Sequence, residues 1–138
     1  MEKKQVMLHQ TTSEELHLVS CGYEECSQKQ SYGPIICHYY ILHFVLRGQG
    51  HFYNDKTHYV INQNQYFLIT PDTLVFYRAE TTNPWTYTWI CFNGNQAPHM
   101  LRRCHISQDS PVQPYSSPED IRKIIAGMMK YSEKTPAN

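Results

Sequence analysis

The residues equipped to do chemistry in this chain are eight histidines, five cysteines and one stretch of alternating large rings. The rings lie in NPWTYTWICFNG, residues 83–94, where Trp85, Tyr87 and Trp89 take every second position and Cys91 continues the series. On a β-strand, alternate residues share a face. Two indoles and a phenol then form a wide, flat surface with polar tips, opposite Thr86, Thr88, Ile90 and Phe92. Such a face suits either a sandwich core or the wall of a binding site. Histidine is the commonest metal ligand, but the spacing here is poor for it. His38 and His43 are an odd number of residues apart, so on one regular strand they point to opposite faces. Cys21 and Cys26 have no matching Cys or His pair at zinc-finger spacing. There is no Gly-x-Ser-x-Gly, Walker loop or HEXXH segment. Acidic residues are few in the predicted strands, so no carboxylate pair for acid–base work is evident. No catalytic residue, metal or cofactor is predicted.

The elements that must position the rings are mostly strands. At 138 residues the chain is one domain with room for a real core. Residues 1–15 carry no sustained periodicity and read as a flexible arm. Leu16 to Ser20 reads as a short strand, and Cys21 to Pro34 as turn-rich and irregular. YYILHFVLRGQG, ending at Gly48 and Gly50, reads as a buried strand and turn. HFYNDKTHYVI reads as a hairpin turning at residues 54–56, and QYFLIT as a strand stopped by Pro71. Two more strands follow, in TPDTLVFYRAE and WTYTWICF. About seven short strands with regular turn signals predict a sandwich or small barrel over residues 16–94.

After Gly94 the pattern becomes helical. APHMLRRC fits a short helix. In SSPEDIRKIIAGMMKYSEK, Ser117 is a good N-cap, Pro118 falls at the first helical position, and Glu119 and Asp120 occupy the first turn. Ile121, Ile124, Ile125, Met128 and Met129 make one apolar stripe. The stripe either packs on the sheet or meets a second chain.

Charge and hydropathy exclude further classes. Twelve basic residues balance twelve acidic ones, and no basic face for nucleic acid is apparent. The apolar run from Tyr39 to Leu46, broken by His43, is too short to span a membrane. The polar Met1-Glu2-Lys3-Lys4 start leads into no signal segment. The expectation is a cytoplasmic protein with free thiols and no membrane partner.

RGQG at 47–50, YFLITPDTLVFY at 66–77 and PWTYTWICFNG at 84–94, in that order, resemble the sensor domain of AraC-type transcription regulators. CGYEEC, SYGP and ILHFVLRGQG are similar to the branch governing raffinose, melibiose and related sugars. The resemblance covers residues 16 to about 132. It implies a mainly β, cupin-like double-stranded barrel (a jelly roll) followed by one or two helices. It also implies a sugar or oligosaccharide effector, an arm over the barrel, and a homodimer formed through the helical segment 95–138. DNA would be bound only by a separate helix-turn-helix domain, absent from this sequence, so a truncated regulator is expected.

By the same resemblance, Trp89 holds the place of a sugar-stacking tryptophan, Tyr87 that of a sugar-contacting histidine, and Tyr77 that of a contacting tyrosine. Cys37 stands where the oligosaccharide branch carries an arginine. His43, mid-strand between apolar neighbours, is either a ligand contact or a core histidine. The metal-binding cupin pattern is not matched, because no histidine falls near Val75. Two alternatives remain open: a cupin enzyme acting on a sugar, and a dimerisation module with a filled barrel.

Overall fold

The computed structural model describes residues 2–7, 16–55 and 57–133. It contains ten strands and two helices among them: β1 (Lys3–Met7), β2 (His17–Glu25), β3 (Ser31–Cys37), β4 (Tyr40–Arg47), β5 (Gln49–Asn54), β6 (Thr57–Asn62), β7 (Gln65–Ile69), β8 (Thr73–Ala79), β9 (Thr86–Asn93), α1 (Ala97–Arg103), β10 (Val112–Pro114) and α2 (Pro118–Glu133). One sheet runs β1-β2-β9-β4-β7-β10 and the other β3-β8-β5-β6. Every pairing between these strands is antiparallel. Each sheet is assembled from strands distant in sequence, which is the double-sheet jelly roll used by cupins.

Alternation along the strands separates two apolar cores. Val45, Phe52, Ile61, Phe67, Ile69, Val75, Tyr77, Trp85 and Tyr87 face the barrel interior. Leu42, Phe44, Leu68, Ile90 and Phe92 leave the other face of the larger sheet and pack with Met100 and Leu101 of α1, Ile106, Tyr115 and Ile121 of α2. Full burial of each such aliphatic or aromatic side chain contributes about 1.5–3 kcal/mol. Thus β9 has one face in each core, as its parity predicts.

Several segments differ from the sequence reading. Part of the expected arm is strand: β1 pairs with β2 from Lys3↔Glu24 to Met7↔Ser20. Residues 8–15 lie outside the described residues. The segment read as irregular, 21–34, is the end of β2, a turn, and the start of β3. Backbone pairing with β9 and β8 holds these strands despite their weak apolar pattern. The region after residue 94 is not wholly helical, since β10 joins the larger sheet beside β7.

The apolar stripe of α2 is divided. Ile121 is 6% exposed and belongs to the core under the helix, while Ile124 and Ile125 are half-buried against it. The side chains of Met128 and Met129 lie outside the described residues. At the start of α2, the Ser116 backbone N–H donates to the Asp120 carboxylate at 2.8 Å, and the Ser116 hydroxyl donates to the same oxygen. Those two bonds from Ser116, with a smaller contribution from the Lys123 ammonium, hold the Asp120 carboxyl below its usual range. No helix among the described residues is long and apolar enough to cross a membrane.

Candidate functional site

Strand register builds the site in rows across the larger sheet. Trp89 lies opposite His43 on one side and Gly22 on the other, and His43 lies opposite Phe67. One row up, Tyr87 lies between Glu24 and Val45; one row down, Cys91 lies between Ser20 and Ile41. Gly22 contributes no side chain, so the row leaves space beside the Trp89 indole. The smaller sheet adds Tyr77, stacked on Tyr32 at 5.3 Å, together with Ile35 and Cys37.

These residues enclose a pocket of about 390 Å³ between the sheets. That volume falls within the range of small-molecule sites, roughly 300–1,000 Å³. All five residues singled out for a ligand, Trp89, Tyr87, Tyr77, Cys37 and His43, line it. The alternative of a dimerisation module with a filled barrel does not fit this cavity. Only the opposite end is filled, where Trp85 stacks on Phe67 at 5.4 Å and 11° and is 1% exposed. Trp85, just before β9, and Trp89, within it, do different work: one plugs the barrel and the other walls the pocket.

His43 is the most unusual polar group in the pocket. Its ring lies flat on Phe67, with centroids 4.4 Å apart, and meets the edges of Tyr77 and Tyr87. It is 2% exposed, and its Nδ1 atom has no hydrogen-bond partner. Burial pushes its pKa down to about 3, so the imidazole is neutral near pH 7. A buried unpaired nitrogen is costly unless something completes it. Burial likewise raises the Tyr77 and Tyr87 phenols and pushes the Cys91 thiol up to about 12. Hydroxyls, a neutral imidazole and a protonated thiol therefore line the interior. Cys37 sits at the mouth and donates from its thiol to the Tyr39 carbonyl at 3.5 Å.

Sequence reasoning missed Glu24, Lys3, Gln5 and Tyr32, which also line the pocket. The Tyr87 hydroxyl donates to Glu24 Oε1 at 3.2 Å, and Lys3 Nζ stands 4.0 Å from the same carboxylate. The signal for Glu24 was its parity with Gly22 and Ser20, usable only once 21–25 is recognised as strand. His38 is not on the strand of His43. It lies between β3 and β4, exposed, 3.1 Å from Asp72. Among the described residues, no group of three or more His, Cys, Asp and Glu side chains is arranged to hold a metal ion.

A jelly roll closed at one end by packed rings and hollow at the other defines a small-ligand-binding domain of cupin type. The chain belongs to the AraC-like ligand binding domain family, which matches residues 17–137. It is 32% identical over 122 residues to a lactose operon transcription activator of Staphylococcus xylosus, covering 88% of this chain and 43% of that protein. It is also 32% identical over 99 residues to an Msm operon regulatory protein of Streptococcus mutans, covering 66% and 36%. A raffinose operon transcriptional regulatory protein of Pediococcus pentosaceus is 25% identical over 120 residues, covering 80% and 43%. The chain thus spans about two fifths of the length of these curated relatives. Among solved structures, the protein YhaK from Escherichia coli shares the fold at a TM-score of 0.61 and 10% identity, covering 85% of this chain and 52% of that one.

Proposed function

We propose that this chain is the effector-binding domain of a cytoplasmic, AraC-type regulator of carbohydrate genes, and that its effector is a sugar seated against the wall formed by Trp89 and His43. The observation that carries the reading is His43, a neutral imidazole with an unpartnered nitrogen in the wall of an aromatic pocket. A sugar presents an apolar C–H face that an indole covers and hydroxyls that imidazole, phenol and carboxylate bond. The names of the curated relatives, operons of lactose and raffinose among them, support the ligand class. They also favour regulation over catalysis. DNA contact is assigned to parts of such a regulator other than these residues, consistent with zero net charge.

Binding should be visible in tryptophan fluorescence. Raffinose, melibiose, sucrose, lactose, galactose and arabinose form the first panel. The correct sugar should shift emission of the wild type, and Trp89→Phe should remove most of that shift. Loss of the ring should weaken binding about tenfold, since an aromatic contact contributes roughly 0.5–1.5 kcal/mol beyond its area. Trp85, buried at the closed end, should respond little. Silence of the wild type to the whole panel would count against a sugar site.

A homodimer is proposed through the part of α2 that its own core leaves uncovered. Ile124 and Ile125 are half-buried, so each retains surface for a second copy in a symmetric contact. Ile125→Asp should move sedimentation toward monomer without loss of the β-sheet circular dichroism signal. A wild type that stays monomeric at every concentration would show that the helix serves only its own barrel.

A further inference from the structure

Charge is unevenly distributed around the pocket. The interior imidazole is neutral, and the phenols and the Cys91 thiol keep their protons. Among the described residues no arginine lines the pocket; the ammonium of Lys3 and the carboxylate of Glu24 do, on neighbouring strands. The two are unequal in exposure. The Glu24 side chain is 15% exposed, whereas that of Lys3 is 54% exposed and 4.0 Å away. An ammonium so open to water offsets a partly enclosed carboxylate only in part.

Glu24 is also fixed in place. Its Oε1 accepts from the Tyr87 hydroxyl and its Oε2 accepts from the Gln30 side-chain amide. Those bonds come from β9 and from the turn before β3, so the carboxylate is braced from two directions beside a phenol that faces the cavity.

We propose that Glu24 is a specificity-determining residue that admits neutral polyhydroxylated ligands to this pocket and rejects phosphorylated or carboxylated ones. The inference rests on the sugar reading above and refines it. A carboxylate accepts charge-assisted hydrogen bonds from ligand hydroxyls, which are stronger than neutral ones. Facing a phosphate or a second carboxylate, the same group has no proton to accept and meets like charge. Discrimination then comes from a repulsive element as much as an attractive one.

The test is a pair of titrations followed by tryptophan fluorescence and calorimetry. Galactose is compared with galactose 6-phosphate and galacturonate, and sucrose with sucrose 6-phosphate, at one ionic strength. In the wild type each anionic form should bind at least a hundredfold more weakly than its neutral parent. Glu24→Gln keeps an acceptor for Tyr87 and removes the charge, together with the bond from the Gln30 amide, so the ratio should shrink below tenfold. A purely structural bracket would leave that ratio unchanged. Wild type binding a phosphorylated sugar as tightly as its parent, or a ratio untouched in Glu24→Gln, overturns the proposal while leaving the sugar site standing. Failure of every sugar, neutral and anionic, overturns the sugar site itself.

Discussion

His43→Leu should flatten the acid limb of the stability curve while abolishing ligand binding. In the folded protein the imidazole titrates near pH 3, against 6.5 for an ordinary histidine. Below pH 6.5 the unfolded chain takes up a proton that the folded chain refuses. Stability contributed by the neutral buried ring is therefore complete above pH 6.5 and is lost progressively as pH falls toward 3. At about 1.4 kcal/mol per unit, the loss is on the order of 5 kcal/mol. Urea unfolding at pH 7 and pH 4.5 would measure the difference directly. The wild type should lose about 3 kcal/mol more than His43→Leu between those two values. Equal losses in the two proteins would mean that His43 is hydrated or charged in the folded state. Acidic side chains contribute equally to both proteins, so the comparison isolates this ring.

The same substitution separates stability from function. Leucine removes the unpartnered Nδ1 atom, so stability at pH 7 should hold or rise, as is common where a site carries a polar group for its ligand. A core histidine replaced by leucine would leave binding intact. A histidine kept for a ligand hydroxyl would not.

How far the sequence reached depends on the range of the interactions involved. Strand parity is local, and it placed Trp85, Tyr87, Trp89 and Cys91 on one face; Tyr87, Trp89 and Cys91 do share the inner face of β9, and Trp85, one residue before the strand begins, also enters the barrel core. Parity could not divide that face into plug and pocket. The division is set by Gly50 beneath Trp85, and by Gly22 and His43 beside Trp89, and all three come from other strands. The strands β1 and β3 and the second half of β2 left little trace for a related reason. They form the rim of an opening, so β3 is exposed along almost its whole length and shows no apolar alternation. Gly22, Gly33 and Pro34 in the same stretch resemble turn residues. Glu24 was missed along with the strand that carries it. For α2 the first part of the stripe, Ile121, Ile124 and Ile125, lies on a buried to half-buried face, but amphipathicity does not say what covers it. The covering at Ile121 is the domain's own core.

Gly50→Ala should be a severely damaging single-methyl change in the barrel. A Cβ at Gly50 would fall 2.0 Å from Cε3 and 2.2 Å from Cζ3 of Trp85, well inside van der Waals contact. The indole has nowhere to retreat. It is stacked on Phe67, set edge-on to Tyr87 at 5.7 Å, and 1% exposed. Overpacking a dense core costs about 1–3 kcal/mol, and rigid aromatic neighbours place this case at or above the upper end. Thermal unfolding should fall by roughly 10 °C or more for a domain of this size. Trp85→Leu alone should also destabilise, by opening a cavity at the closed end. In the double variant the new methyl group enters the space the indole vacates. The combined loss should then be smaller than the sum of the two single losses by more than about 1 kcal/mol. Additive losses would mean that Gly50 is needed for its backbone alone. Coupled losses would show that the second glycine of RGQG exists to let an indole close the barrel beneath it, leaving the next indole along the strand, Trp89, to face whatever enters from the open end.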